Sequence, residues 1–288
     1  MICFARRVND WWIRDVAAEN FPRQSARNAS KLIPAMHEIR IAVFSYTVMR
    51  IALFGDIHAN LEALQAVLKD AQSQHVTDYV CMGDVIGYNA DPVACLEKIR
   101  EMDCPTVKGN HDEVAAGNHS LDCMNPTAAT ALQWTRDQLD DEQRAWLGKL
   151  RMVRQVADFT VVHSTLDQPA AWNYVTNRFD AMASFSYQFT KVCFHGHTHV
   201  PRVYIKSDRV VEEEPDFIEI SPDAKYFINV GSVGQPRDGD WRACYAVYDL
   251  EKRTLEFRRI EYDIETTQEK IHKAGLPESL AERIAEGR

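Results

Sequence analysis

Three short strand signals, two of them apolar runs, stop in the same way. Ile51-Ala52-Leu53-Phe54 runs into Gly55-Asp56, Tyr79–Met82 into Gly83-Asp84, and Thr106–Lys108 into Gly109-Asn110-His111-Asp112. Apolar runs this short, bounded by turn residues, read as buried strands. Helical patterns fill the gaps. Asn60 stands at a capping position before Leu61, Leu64, Leu68 and Ala71, which share one helical face. Asp91-Pro92 supplies an N-cap and a proline at the first helical position, so Val93–Arg100 reads as a second helix. Asn125-Pro126 opens a third that runs to about Leu139, and Asp141–Leu147 a fourth, stopped by Gly148.

The second half is richer in strand signals. Phe159–His163, Val192–Phe194, Val200–Ile205, Tyr226–Val230, Cys244–Tyr248 and Leu255–Tyr262 all read as β, with a helix over Asp180–Thr190. A C-terminal helix covers about Ile264–Lys273, ends at Gly275 and Pro277, and is followed by a last short one. Alternating strand and helix followed by a strand-rich half predicts an α/β domain with two sheets between helices.

Residues 1–48 follow none of this. They carry a net charge of +3, against −12 for residues 49–288, and show no periodicity. Met49 then opens the first strand at once. The fold is expected to begin there, with 1–48 a poorly ordered N-terminal extension or an over-called start. An Arg-rich targeting peptide fits less well, because Asp10, Asp15 and Glu19 interrupt the basic residues.

Composition removes several classes of function. The net charge is −9 and no basic stripe is visible, which argues against gripping an extended nucleic acid. No apolar stretch approaches the roughly 18–20 residues of a membrane span. Seven cysteines at scattered spacings, with no C-x-x-C pair, read as reduced thiols of a cytoplasmic protein rather than a zinc cluster.

The polar residues at the strand ends carry the chemistry. They are Asp56 and His58, then Asp84, then Asn110 and His111, then His163, then His197 and His199 in Gly196-His197-Thr198-His199. Five of the ten histidines fall in these short motifs, so the histidines are concentrated rather than scattered. Carboxylate, imidazole and amide oxygen together suit divalent Mn, Fe or Zn, and a carboxylate can bridge two ions. Taken singly, each motif could be a surface loop or a tight turn. As an ordered set at strand ends, they converge on one edge of an α/β sheet, where such folds place their sites. Gly55, Gly83, Gly109 and Gly196 precede ligands and are expected to let the chain turn sharply.

These motifs, with Gly83–Pro92 and Gly231-Ser232-Val233-Gly234-Gln235-Pro236-Arg237, resemble the calcineurin-like metallophosphoesterase superfamily across nearly all of residues 49–288. The likeness is to its bacterial and archaeal branch of small phosphodiesterases and phosphatases, diadenosine-tetraphosphatase-like and YfcE-like. The resemblance implies a four-layer α/β/β/α sandwich of two mixed β-sheets flanked by helices. It implies two divalent metal ions, Mn²⁺ foremost with Fe, Zn, Co or Ni as substitutes. Asp56, His58 and His199 would hold the first and Asn110, His163 and His197 the second, with Asp84 bridging. His111 would act as general acid or as a donor to phosphoryl oxygens, and Asp112 would orient it. The implied reaction is hydrolysis of a small, nucleotide-like phosphodiester or phosphomonoester by metal-activated water.

The pattern departs from the superfamily's protein phosphatases at one point. They follow the second Asp with Asp-Arg-Gly, whose arginine binds phosphate, and here Gly87-Tyr88-Asn89 stands instead. That moves the expected substrate from phosphoproteins to small phosphoesters. Arg237 is a candidate to take over the grip, its alternative being a surface charge on a turn. Tyr88 and Asn60 could also line the site, with packing and helix capping as their alternatives. His195 reads as a core or supporting histidine, and Trp134, Trp146 and Trp172 as packing aromatics. Two other functions compete: a catalytically silent scaffold, against which every ligand position is filled, and a nuclease, against which the charge speaks.

Overall fold

The computed structural model describes residues 49–117, 121, 124–214 and 216–288; the extension expected over 1–48 lies outside the described residues. β1 (Arg50–Phe54) and β2 (Asp78–Cys81) run parallel, with Leu53 opposite Val80, and α1 (Leu61–Ser73) crosses between them. The other neighbour of β1 is the antiparallel β10 (Ala243–Asp249), followed by β11 (Thr254–Ile260) and the short edge strand β8 (Phe217–Glu219). This gives a mixed sheet in the order β2-β1-β10-β11-β8. The second mixed sheet has the order β3-β4-β5-β9-β6-β7. Its members are β3 (Val153–Val156), β4 (Phe159–Val162), β5 (Val192–His195), β9 (Lys225–Asn229), β6 (Arg202–Lys206) and β7 (Val210–Glu213). Within it β4, β5 and β9 are parallel.

Strand alternation assigns the layers. Ile51, Leu53, Val80, Ala246 and Tyr248 point inward and meet Phe159, Val161, Phe194 and Ile228 of the other sheet. The alternate residues Ala52, Phe54, Cys81, Tyr245 and Val247 face outward onto α1 and its neighbours. Those neighbours are α2 (Pro92–Met102), α3 (Asn110–Ala116), α4 (Pro126–Gln138) and α5 (Asp141–Lys149). On the far side, Val162, Cys193, Tyr204 and Phe227 pack against Ala181 and Phe185 of α6 (Arg178–Tyr187). The result is the α/β/β/α order expected, since a strand buried on both faces needs a partner layer on each. Two last helices, α7 (Ile264–Lys273) and α8 (Glu278–Glu286), close over Tyr88 and α4. Among the described residues, no helix is long and apolar enough to cross a membrane.

Some local expectations are corrected. Thr106–Lys108 is not a full strand: it joins through single bridges, Cys81 to Thr106 and Val107 to Arg151. α5 passes through Gly148 to Lys149, because packing outweighs the roughly 1 kcal/mol helix cost of glycine. Asp91 precedes α2 but makes no cap hydrogen bond, since its carboxylate takes the Lys270 Nζ of α7 at 2.8 Å. Asn60 does cap α1, with Oδ1 accepting from Ala63 N at 3.1 Å.

The seam between the sheets is aromatic. The Phe194 ring meets Phe159 at 5.2 Å and Tyr248 at 5.5 Å, both edge-on, and is fully buried. Phe194→Ala is expected to cost about 3–5 kcal/mol in urea unfolding, the usual range for a buried phenylalanine. A loss under about 1 kcal/mol would mean that the two sheets do not depend on this contact.

Candidate metal centre

The parallel strands of both sheets deliver their C-terminal ends to one place. Asp56 and His58 follow β1, Asp84 follows β2, His163 follows β4, and His197 and His199 follow β5. Asn110 and His111 lie in the first turn of α3 rather than at the end of a full strand, as expected from the sequence. Backbone hydrogen bonds tie these segments to each other: Asp56 N to Gly83 O, His58 N to Asp84 O, and Gly196 N to His163 O, at 2.9–3.0 Å.

Asp56, His58, Asp84, His197 and His199 all have positive φ, between 47° and 71°. Each such residue costs on the order of 1–3 kcal/mol and persists only where its surroundings hold it. This corrects the expectation for the glycines. Of the four before ligands, only Gly83 takes a positive φ, and the ligands themselves make the turns. Gly109 and Gly196 are needed for room: an added Cβ would lie 2.0 Å from Asp84 Oδ1 and 2.3 Å from Asp56 Oδ2 respectively.

The imidazoles are aimed by backbone carbonyls. Nδ1 of His58 meets Ile86 O at 3.2 Å, that of His163 meets Met82 O at 2.7 Å, and that of His199 meets Gln235 O at 2.6 Å. Donation there puts the proton on Nδ1 and leaves the Nε2 lone pair for a cation. His197 is reversed: its Nε2 faces Trp172 O at 2.8 Å, which leaves Nδ1.

The carboxylates are divided likewise. Oδ1 of Asp84 accepts His111 N at 2.9 Å, and its Oδ2 lies 3.6 Å from His58 Nε2 and 3.4 Å from His163 Nε2. Oδ2 of Asp56 accepts His197 N at 2.9 Å. Its Oδ1 is buried with no hydrogen-bond partner, 3.2 Å from His199 Nε2, 3.8 Å from His58 Nε2 and 3.9 Å from His163 Nε2. The Nε2 atoms of His58 and His199 are 3.0 Å apart, and Asn110 Oδ1 is 3.2 Å from His163 Nε2. Among the described residues, three groups stand out in which every donor is within reach of one ion: Asp56, His58 and His199; His58, Asp84 and His111; and Asp84, His163 and His197. An orphaned buried carboxylate oxygen ringed by imidazole lone pairs fits divalent cations.

The electrostatics agree. Burial alone would raise Asp84, yet His163 and His111 hold it well below the usual carboxylate range. Burial likewise opposes ionisation of Asp56, and His199 more than reverses it. Burial would lower His163, but the field of Asp84 and Asp56 draws it up to about 10. Burial pushes His197 down to about 3 and His111 down to about 4, while burial and then His111 lower His58. The centre is a concentrated negative field surrounded by mostly neutral imidazoles, which suits a cation.

Two expected site roles are corrected. Asp112 does not orient His111, whose Nδ1 has no hydrogen-bond partner. The Asp112 carboxylate instead accepts Asp84 N at 2.8 Å, Val85 N at 3.0 Å and Gly109 N at 3.1 Å, so it fixes the Asp84 turn. Burial and the neighbouring Asp84 raise it to about 7. Asn60 offers nothing to a substrate, because it is fully buried and its amide serves Ala63 N and Gly234 O.

Tyr88 does reach the centre, its ring 4.7 Å from His58 and 4.5 Å from His111. Arg237 Nη2 is 2.8 Å from Gln235 Oε1 and 3.5 Å from the Tyr88 hydroxyl, and its Cζ is 5.7 Å from the Tyr88 ring centroid. His195 is a core residue, stacked on Phe227 at 4.1 Å. Trp172 is a loop packing aromatic whose ring meets His163 at 5.9 Å, and its carbonyl also aims His197. Tyr174, which no motif marked, stacks on His197 at 4.2 Å and is 54% exposed at the mouth.

Comparison with known proteins places the chain in context. Residues 49–253 match the family model for the calcineurin-like phosphoesterase superfamily domain. An uncharacterised protein of Methanocaldococcus jannaschii is 38% identical over 242 residues, which is 83% of this chain and 98% of that one. The crystal structure of a metallophosphoesterase from Sphaerobacter thermophilus has 40% identity and a TM-score of 0.75, covering 84% of this chain and 100% of that one. A hypothetical protein from Pyrococcus horikoshii OT3 shares the fold at 17% identity and a TM-score of 0.68, covering 83% and 99%.

Asp112→Asn puts an amide donor against backbone N–H groups and should release the Asp84 turn. Mn²⁺ affinity is expected to fall about 10–100-fold, the usual effect of losing a group that orients a ligand, with the circular dichroism spectrum kept. Unchanged affinity would show that Asp112 does not position Asp84.

Proposed function

We propose that this chain, which belongs to the calcineurin-like phosphoesterase superfamily, is a dinuclear metal-dependent phosphoesterase acting on a small phosphorylated substrate. The observation that carries the reading is Asp56 Oδ1, buried without a partner and facing three imidazole Nε2 atoms. In this reading Asp56, His58 and His199 hold one divalent ion, and Asn110, His163 and His197 a second. Asp84, whose Oδ2 lies between His58 and His163, is shared. Such ions supply Lewis acidity and a water of lowered pKa.

The chain's own groups do the remaining work. His111 is buried beside His58, with ring centroids 4.7 Å apart, and its Nδ1 has no protein partner. In this reading it donates to a phosphoryl or leaving-group oxygen. Arg237 and Tyr88 border the same face and would fix the phosphoryl group by charge and hydrogen bond. Asp112 and the carbonyls of Ile86, Met82, Gln235 and Trp172 act through the ligands by setting their direction. Small esters are favoured over phosphoproteins by Gly87-Tyr88-Asn89, where no arginine follows Asp84. Mn²⁺ is the proposed metal and the cytoplasm the proposed location.

The assay is hydrolysis of bis-p-nitrophenyl phosphate and p-nitrophenyl phosphate with Mn²⁺. Turnover should depend on the metal, vanish in Asp84→Asn, and fall about 10²–10⁴-fold in kcat for His111→Asn, the range for a lost proton donor. Absence of metal-dependent turnover on both esters, or full activity of Asp84→Asn, would reject the reading.

A further inference from the structure

The chain leaves the candidate centre at His199 and enters a second recess at once. Val200 and Pro201 follow His199, and Arg202 opens β6. These three residues line a cleft of about 480 Å³ together with Asp216, Arg237 and Phe257. Small-molecule sites have volumes of roughly 300–1,000 Å³. The walls come from both sheets, with Arg202 on β6 and Phe257 on β11. Asp216 lies between β7 and β8, and its carbonyl accepts Phe257 N at 2.8 Å, so the two residues are held side by side. Arg237, in the loop after β9, is the wall shared with the centre. Its N donates to His199 O at 3.2 Å, and its Nη2 is 3.5 Å from the hydroxyl of Tyr88, which packs on His58 and His111.

Most charges around the cleft cancel. Arg202 pairs with Glu212 at 2.9 Å and with Glu214, and Arg259 pairs with Asp238. Two lining residues stand apart. Among the described residues, Arg237 has no carboxylate partner: only its Nη2 meets protein acceptors, and its Nε is buried with none. Asp216 is exposed and joins no ion pair among the described residues. The cleft therefore offers a guanidinium on the side of the centre and a carboxylate beside Phe257. Val200, Pro201 and Phe257 add half-buried apolar surface to the lining.

A ligand that satisfies all three features carries a phosphate, a flat apolar ring and hydroxyl donors. We infer that this cleft is a nucleoside subsite and that the substrate is a nucleoside phosphodiester. The inference rests on the phosphoesterase reading for what occupies the centre. With the phosphoryl group at the centre, the nucleoside passes Arg237 into the cleft. Its base lies against Phe257 and Pro201, and its ribose hydroxyls donate to Asp216. An acidic side chain takes ribose hydroxyls in dinucleotide-binding folds for the same reason, since an ionised carboxylate only accepts. A small amine such as ethanolamine would answer the charge of Asp216 but leave most of the volume and the apolar wall unused. Hydrolysis adds the water oxygen to phosphorus, breaks the opposite P–O bond and passes a proton to the departing alcohol. The nucleoside monophosphate is then the product that stays in the cleft.

The test is calorimetric titration of the full chain, loaded with Mn²⁺, using adenosine 5′-monophosphate, methyl phosphate and phosphoethanolamine. These share the phosphate and differ in what enters the cleft. Adenosine 5′-monophosphate should bind about tenfold more tightly than methyl phosphate or better, as one aromatic stack and one hydrogen bond to a carboxylate supply. Phe257→Leu and Asp216→Ala should each cut that preference to about threefold or less, with the affinity for methyl phosphate unchanged. Asp208→Ala is the control, in the turn at the opposite end of the β6–β7 hairpin, and should leave the preference intact. Equal affinities or no nucleotide binding in the wild type, an unreduced preference in either folded cleft variant, or phosphoethanolamine as the tightest ligand would overturn the inference. Circular dichroism confirms that each variant is folded, and Asp216→Ala, at an exposed position, decides if Phe257→Leu is not. Hydrolysis of bis-p-nitrophenyl phosphate is measured in parallel. The nucleotide preference without any turnover would reject the phosphoesterase reading and keep the cleft as a nucleotide site; turnover without the preference would do the reverse.

Discussion

Two buried carboxylates, Asp56 and Asp84, sit where the C-terminal ends of two parallel strand pairs meet, and the surrounding structure is organised around them. Burying a carboxylate without compensation costs several kcal/mol. Backbone N–H groups of His111 and His197 take one oxygen of each. The oxygens that remain face imidazole nitrogens, of which that of His163 is drawn toward the protonated form by the two carboxylates while burial keeps His58 and His197 neutral. A divalent cation between them would satisfy carboxylate and imidazole together. The four-layer sandwich serves this end by bringing strand ends from both sheets to one point, with a dry aromatic seam behind it.

The strain in the ligand segments follows from the same requirement. Five metal-type ligands adopt a left-handed backbone, which directs side chains from adjacent loops toward a common centre. Cross-loop hydrogen bonds hold these conformations, and Asp112 holds the Asp84 turn with three N–H groups. Carbonyls on the outer imidazole nitrogens fix which nitrogen faces inward. The centre is thus rigid for reasons lying one contact away from the ligands, where a change should weaken metal binding without touching a ligand.

Much of this was legible in the chain. Short apolar runs ending in Gly-Asp and Gly-His-Thr-His marked strand ends, because a buried strand must stop where polar groups begin, whereas Gly-Asn-His marked the start of α3. All seven expected ligand residues, with His111, come together in space. What was hidden depended on tertiary contacts. Asp112 adjoins His111 in sequence, which suggested a role in orienting it, but its carboxylate turns back to the Asp84 loop. Asp91 has the sequence of an N-cap, yet Lys270, 179 positions away, claims it. Trp172 and Tyr174 sit in a loop without periodicity.

The central claim is that the ligand set is built for two ions sharing Asp84. Anomalous diffraction at the manganese edge from crystals grown with Mn²⁺ tests it most directly. The account predicts two peaks per chain, one among Asp56, His58 and His199 and one among Asn110, His163 and His197, with Asp84 touching both. A single peak, or none at these residues, would contradict it.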